Sequence, residues 1–245
     1  MGRMSSEKNK KEPPKKHSKT KGSFFSGIIK FIITIFLIPL VVASTLSFYD
    51  YIRDVQISGD EPFFFLLGCL AYLIFHTIIY KPTFLYVFTH EVLHAIPTWL
   101  TGGRVKRFRI LPKGGSVETT KSNILILLFP YIIPILTLIF VLAYYVAGIF
   151  WKEISDHFNF FIFAIGASLT FHIVNTSEAL KIEQPDIEQV GYLLSMQIIY
   201  IFNLLLISCI FSLISPEFLF LDFLKNLFEK VKEIYIFLYT RLFFV

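Results

Sequence analysis

Long apolar runs constrain this chain more than any other feature of its sequence. Several of them approach or exceed the roughly 20 residues that an α-helix needs to cross a bilayer. Only 17% of the 245 residues are charged, whereas an average soluble domain has about 25%. The sequence therefore predicts an all-α polytopic, multi-pass integral membrane protein with about six transmembrane helices. The predicted spans cover residues 24–48, 63–80, 83–101, 123–150, 158–178 and 190–214.

The two ends of the chain differ from this apolar core. Residues 1–22 are rich in Lys, Ser and Pro, which predicts a disordered basic tail. Beside a membrane span such a tail contacts anionic lipid of the bilayer, and we expect no nucleic-acid partner. Residues 216–245 predict an amphipathic C-terminal helix that lies on the bilayer. Residues 23–215 between them form the predicted integral membrane core.

The third apolar run contains the sequence His90-Glu91-Val92-Leu93-His94. On a helix, two His residues four positions apart lie on one face and can bind the same Zn²⁺ ion. Glu91 is then placed to act as a general base toward water at the metal. Ionisable side chains within a membrane segment are functional candidates by default. The motif therefore predicts one zinc ion per chain, with His90 and His94 as ligands and Glu91 as the catalytic carboxylate.

A catalytic zinc usually has three protein ligands, so a further residue is needed. The candidates lie after the fourth span: His172, Glu178 and Asp186. His172 lies within the apolar part of the fifth span, and Glu178 lies near its end. Asp186 lies near the start of the last span, where an unpaired carboxylate is unfavourable. These residue types leave the choice of third ligand open.

One long polar connection, residues 104–121, follows the motif. Gly114 and Gly115 belong to a turn between two β-compatible stretches, so a β-hairpin and a plain loop are equally expected at the mouth of the site. Six basic residues argue for a cytoplasmic connection, and the basic tail argues for a cytoplasmic N-terminus. Three predicted spans lie between the N-terminus and residues 104–121. If all three crossed the bilayer, these two basic segments would lie on opposite sides of the membrane. We favour a cytoplasmic position for 104–121 and leave the orientation of the N-terminus open.

The motif and its surroundings resemble the site-2 protease family of intramembrane zinc metalloproteases, in its compact bacterial and archaeal form. The resemblance covers residues 90–121: His90-Glu91-x-x-His94-Ala95, then Thr101-Gly102-Gly103-Arg104-Val105 and the β-prone segment. The family's third ligand is an Asp in a later membrane segment, often within an Asn…Leu-Asp-Gly pattern. Here the equivalent is Asn175…Gln184-Pro185-Asp186-Ile187, without the Leu-Asp-Gly itself.

The resemblance implies a zinc metalloendopeptidase that hydrolyses peptide bonds of membrane-protein or peptide substrates. It implies Asp186 as the third ligand, while His172, Glu178 and Asn175 remain possible alternatives or helpers. Gly102, Gly103 and Val105 are the predicted substrate-binding residues, since the edge of the hairpin can pair with an extended substrate.

Two other functions remain open at this stage. One is a differently built membrane zinc enzyme that uses Glu178 as its third ligand. The other is a non-catalytic membrane scaffold or metal-handling protein, although Glu91 speaks against it because mere metal binding does not require that carboxylate. The sequence predicts neither the substrate nor the oligomeric state.

Overall fold

The computed structural model describes residues 21–54, 59–111, 114–214 and 219–243. The tail predicted over residues 1–22 lies outside the described residues, apart from the last two, which begin the first helix. The α-helices are α1 (Lys21–Asp54), α2 (Glu61–Ile74), α3 (Thr83–Leu100), α4 (Ile124–Ile132), α5 (Ile135–Phe150), α6 (Phe158–Leu180), α7 (Pro185–Val190), α8 (Tyr192–Ile214) and α9 (Phe220–Phe243). A π-helical turn (Phe75–Ile79) extends α2, a 3₁₀ turn (Lys152–His157) precedes α6, and strands β1 (Val105–Leu111) and β2 (Gly114–Thr119) follow α3.

The described helices confirm a polytopic membrane protein. Four helical segments are long and apolar enough to cross a bilayer, and the bent pair α4–α5 makes a fifth when taken as one span. These five correspond to five of the six predicted spans. The sixth is α3, which is helical as predicted but is not among the segments that satisfy this length and hydropathy test.

Helices α2 and α6 cross at unusually close range. A Cβ atom on Gly68 would lie 2.1 Å from the carbonyl oxygen of Phe163, and one on Gly166 would lie 2.2 Å from that of Phe65. Two glycines at one crossing allow the helix backbones to touch, as small residues do in many membrane helix pairs. This contact fixes the C-terminal ends of α2 and α6 beside one another.

A glycine pair ends α3. Gly102 has a left-handed φ of 71°, and the backbone N–H groups of Gly102 and Gly103 donate to the carbonyls of Trp99 and Thr98 at 2.9 and 2.7 Å. This is a Schellman motif, which satisfies the last carbonyls of the helix and reverses the chain.

The β-hairpin expected as one of two possibilities is present, as a two-stranded antiparallel sheet. Phe108 pairs with Val117 and Ile110 with Gly115, and a bulge interrupts the register between Val105 and Arg107. The hairpin packs back against α3, the helix that it follows. It therefore lies beside the motif.

Residues 81–122 leave and return to the same face of the bundle. Lys81 binds the carboxylate of Glu178 at 2.6 Å, near the C-terminal end of α6. Ser122, at the other end of the segment, lines a cavity together with Asp186, just after α6. We call this end of the bundle the site face. Since α3 and the hairpin begin and end there, they contribute no net crossing.

This return resolves the conflict between the two basic segments. The Nζ of Lys30 in α1 donates to the carbonyl of Gln189 in α7 at 2.7 Å, so the N-terminal part of α1 also lies at the site face. Helix α1 leads away from this face and α2 leads back to it. The basic hairpin and the N-terminal end of α1 therefore share one side of the protein.

Helix α9 runs antiparallel along α1. Its residue Phe223 contacts Tyr51 with ring centroids 5.4 Å apart, whereas Tyr235, three turns later, donates its hydroxyl proton to the carbonyl of Phe36. The stretch 216–245 was predicted as an amphipathic helix on the bilayer surface. The helix is present, and its apolar side is occupied by α1 and α8.

Candidate metal centre

Three side chains converge where α3 meets α7. The Nε2 atoms of His90 and His94 are 3.2 Å apart, and the Oδ2 of Asp186 lies 3.2 Å from the Nε2 of His94 and 3.9 Å from that of His90. All three donor atoms lie within 4.8 Å of one another. Of the three candidate third ligands, the structure brings Asp186 to the two histidines.

These spacings suit a small tetrahedral cation. With metal–ligand bonds of about 2.0–2.2 Å, two ligand atoms on a tetrahedron are about 3.3–3.6 Å apart. The observed distances of 3.2–3.9 Å bracket that range. Two imidazoles and one carboxylate are also a donor set that zinc accepts in catalytic sites. The residues present therefore fit the predicted zinc.

Each histidine presents one ring nitrogen to the cluster. The Nδ1 of His94 is 2.9 Å from the carbonyl oxygen of Ile126 in α4. That nitrogen must carry the proton to donate, so the lone pair of Nε2 is free to bind a cation. The Nδ1 of His90 is buried without a hydrogen-bond partner among the described residues, and the ring of Tyr131 packs edge-on against His90 at 5.1 Å.

Asp186 reaches the histidines from the first turn of α7. Burial by itself would raise the pKa of this carboxyl. The imidazoles of His90 and His94, whose Nε2 atoms lie 3.9 and 3.2 Å from its Oδ2, outweigh burial and hold the pKa of Asp186 well below its ordinary value. The group is therefore an ionised carboxylate at neutral pH, which is the form that binds metals.

Glu91 lies beside the cluster, only 7% exposed, with strand β2 against its side chain. A Cβ atom on Gly115 would lie 2.6 Å from the Cγ and 2.7 Å from the Oε1 of Glu91, and 2.8 Å from a methyl carbon of Val87. Only a glycine lets the strand approach so closely. The β2 backbone therefore limits the positions that the Glu91 carboxylate can adopt.

A cavity of about 320 Å³ opens beside the three donor atoms. Its walls are the metal-binding side of α3, strand β2 and the start of α7. Among the described residues it is lined by His90, Glu91, His94, Gly115, Ser116, Val117, Thr119, Ser122, Ile126, Leu127, Gln184, Pro185 and Asp186. The cavity therefore lies between β2 and the three donor residues.

Glu178 and His172 occupy other positions. The carboxylate of Glu178 binds Lys81 at 2.6 Å and the Nε2 of His76 at 3.2 Å. His172 is buried in α6, with its Nε2 3.0 Å from the Oδ1 of Asn203 in α8. Neither belongs to the group of donors around His90.

Asn175, the third possible helper, is buried in α6. Its side-chain amide donates to the carbonyl of Phe171 at 2.7 Å and to the hydroxyl of Tyr72 at 3.3 Å. Asn175 and His172 also line a small cavity behind His90. These contacts give both residues a packing role in α6, and their function as helpers stays a prediction.

The three predicted substrate-binding residues lie at the base of the hairpin. Gly102 and Gly103 form the turn that ends α3, and Val105 pairs with Thr119 where the strands begin. Among the residues that line the cavity, the hairpin is represented by β2 instead. A role for Gly102, Gly103 and Val105 in substrate binding stays a prediction.

Sequence reasoning missed two contributors to this site. Ile126 acts through its backbone carbonyl, which any residue type supplies, so the sequence has no signal for it. Gly115 had a signal, since the sequence predicts a turn that includes it, but the structure places Gly115 in strand β2. Its close contact with Glu91 arises from the way the hairpin folds back on α3.

Comparison with known proteins supports these features over part of the chain. Residues 64–182 match the sequence model of the Peptidase M50B-like family. The matched segment includes the whole His-Glu-x-x-His motif and ends four residues before Asp186. No curated protein and no solved structure matches the chain significantly. This family is the site-2 protease family, an integral-membrane family of zinc-dependent metalloproteases, and the chain is similar to it over just under half of its length, the part that carries the membrane helices around the motif.

Proposed function

We propose that this protein is an intramembrane zinc metalloprotease that hydrolyses peptide bonds of membrane-protein substrates. The observation that carries the proposal is the convergence of His90, His94 and Asp186 around a single point, with the carboxylate of Glu91 on the wall of the same cavity. His90, His94 and Asp186 would hold one zinc ion per chain.

When bound, zinc supplies Lewis acidity that polarises a peptide carbonyl and lowers the pKa of water. Glu91 accepts a proton from the attacking water and later delivers it to the leaving amine nitrogen. Its burial beside Gly115 keeps the carboxylate in one position during both transfers. The hydrogen bond between His94 and the carbonyl of Ile126 keeps the imidazole in one tautomer and orientation.

The substrate has to be extended at the scissile bond, because the backbone carbonyls of a helix are engaged in hydrogen bonds. Among the described residues strand β2 pairs with β1 alone, so its other edge offers backbone groups to a further strand. This edge belongs to the strand that lines the cavity beside Glu91. We infer that the substrate adds to β2, rather than to the outer strand β1, and is thereby aligned across the cluster.

Measurement of the zinc content of purified variants tests which residues are metal ligands. The purified wild type in detergent should contain about one zinc per chain, and Asp186→Ala and His90→Ala should each lose it. Glu178→Ala is the matched control, since its carboxylate binds Lys81 and His76 and should leave the zinc content unchanged. Zinc retained in Asp186→Ala would remove Asp186 from the ligand set. Zinc lost in Glu178→Ala would favour the alternative zinc enzyme.

A second variant separates catalysis from metal binding. Glu91→Gln keeps the size of the side chain and removes the base, so it should keep its zinc and lose cleavage of a transmembrane substrate by at least about 100-fold. Full biological activity in Glu91→Gln would contradict proteolysis and support the non-catalytic scaffold.

A further inference from the structure

Helix α9 carries a row of charges on its outer side. The row, which we call the charged stripe, consists of Asp222, Lys225, Glu229, Lys232 and Glu233, all exposed. The residues follow one another at steps of one to four positions that keep them on one helix face. The opposite face buries Phe223 and Leu227. The helix is thus attached to the bundle on one side and charged on the other.

The contacts of α9 place this stripe alongside membrane-spanning helices, with its later residues near their middle. Leu227 and Ala43 belong to one buried cluster, and Leu205 packs against it. Ala43 is near the middle of the apolar part of α1, and Leu205 is near the middle of α8. Because Phe223 contacts Tyr51 near the end of α1 and α9 then runs antiparallel along α1 for several turns, the stripe begins beside the end of this span and extends toward its middle.

Charges at this depth need partners. Ionisable residues within the hydrocarbon region are costly, and they almost always face protein or a water-filled cavity. Lys230, on the flank of the stripe, has its partner within the chain, the carboxylate of Asp50 at 2.8 Å. Asp222 and Lys225, at the start of the stripe, pair with each other at 2.9 Å, and in the part of the chain that the structure describes no ion pair is found for Glu229, Lys232 or Glu233. The outer side of α9 therefore requires a polar cover.

We propose that a second copy of this chain covers the charged stripe, through an antiparallel contact between the two α9 helices. Four of the charges alternate in sign, in the order negative, positive, negative, positive at positions 222, 225, 229 and 232. In an antiparallel second copy the same charges occur in the reverse order, positive, negative, positive, negative, so each charge faces one of opposite sign. A two-fold axis beside residue 227 therefore brings Asp222 of one copy opposite Lys232 of the other, and Lys225 opposite Glu229.

This register makes four intermolecular ion pairs in one dimer, because a two-fold contact repeats each pair. Shifts of the register bring charges of like sign together, for example two copies of Glu229. The charge order thus favours a second copy of the same chain over an unrelated partner. The stripe lies outside residues 64–182, so the proposal is independent of the metal centre and of the proposed proteolysis.

A charge swap tests the pairing. Asp222 and Lys232 are ten residues apart on one helix, about 15 Å, so within one chain they do not pair. The wild type should have the mass of a dimer by light scattering in a mild detergent, and Asp222→Lys should dissociate it at least about 10-fold more readily. Adding Lys232→Asp to this variant should restore the dimer, because the two reversed charges face each other across the axis.

Crosslinking in intact membranes checks the register before the lipid is removed. In a chain without its native cysteines, Asn226→Cys lies next to the axis and should form a disulfide dimer on mild oxidation. Thr240→Cys is the matched control, since it is also exposed on α9 but would lie about 39 Å from its counterpart. A monomeric wild type, a swap that fails to restore the dimer, or equal crosslinking at both positions would each overturn the proposal.

Discussion

Replacement of Gly115 by Ala probes how tightly the hairpin holds the catalytic carboxylate. The added Cβ would lie 2.6 Å from the Cγ and 2.7 Å from the Oε1 of Glu91. Ordinary carbon contacts are about 3.5–4.0 Å, so either the strand or the carboxylate has to move by roughly 1 Å. A displacement of about 1 Å in a catalytic group can cost 100-fold in rate. We therefore expect kcat to fall about 100-fold in Gly115→Ala.

The metal should remain in this variant, because the three atoms nearest to the added methyl group belong to Glu91 and Val87 and not to His90, His94 or Asp186. Because the added methyl group overpacks the contact with Glu91, the free energy of unfolding should fall by about 1–3 kcal/mol. Gly114→Ala is the matched control, since nothing lies within 4 Å of a Cβ at that neighbouring position. It should retain the activity, zinc content and melting temperature of the wild type.

The assay compares the two variants with the wild type on one labelled transmembrane segment that the wild type cleaves. Zinc per chain and thermal unfolding are measured on the same preparations. Normal kcat in a folded, zinc-loaded Gly115→Ala would refute the reasoning, because β2 would then not confine Glu91. Loss of zinc would show instead that the hairpin supports the ligands and not the base.

Three further predictions concern the fold. Asn203→Leu removes the amide that donates to the carbonyl of Tyr131 at 2.9 Å, so it should lower the free energy of unfolding by about 1–3 kcal/mol, as measured by thermal unfolding with zinc content as the control. Gly166→Ala places a Cβ 2.2 Å from a backbone oxygen of α2, whereas Gly148→Ala meets only an ordinary contact at 3.6 Å; the first should lower the melting temperature or abolish folding, and the second should not. Lys106→Cys on the hairpin should react with a membrane-impermeant thiol reagent only from the cytoplasmic side, and Asp60→Cys between α1 and α2 only from the other; labelling of both from one side would contradict the return of residues 81–122 to the site face.

The sequence predicted those parts of the site whose geometry depends only on neighbouring residues of one helix. Two histidines four positions apart share a helix face in any α-helix, so the geometry of His90 and His94 followed from their spacing. Asp186 was a reasonable candidate because an unpaired carboxylate at the start of a span is costly. The spacing alone did not distinguish it from Glu178, since that choice depends on where α6 ends and α7 turns back.

The features that the sequence did not predict depend on tertiary packing. Hydropathy cannot separate an apolar segment that crosses from one that enters and returns, so the direction of residues 83–101 remained ambiguous. The amphipathic pattern of α9 was predicted, but the same pattern suits a helix on a bilayer and a helix against α1. The contact between Gly115 and Glu91 joins two segments whose approach is set by the hairpin turn.

The return of residues 81–122 to the site face gives the proposed reaction a direction. The cavity beside the cluster opens between β2 and α7, and both lie at that face. We expect water and metal to reach the cluster from the compartment that the basic hairpin also faces. Hydrolysis creates a new carboxylate and a new amine, and both ionise as soon as they reach water. We expect both new ends to emerge into that compartment, so that the fragment that lies on the site face after cleavage is released to that side of the membrane.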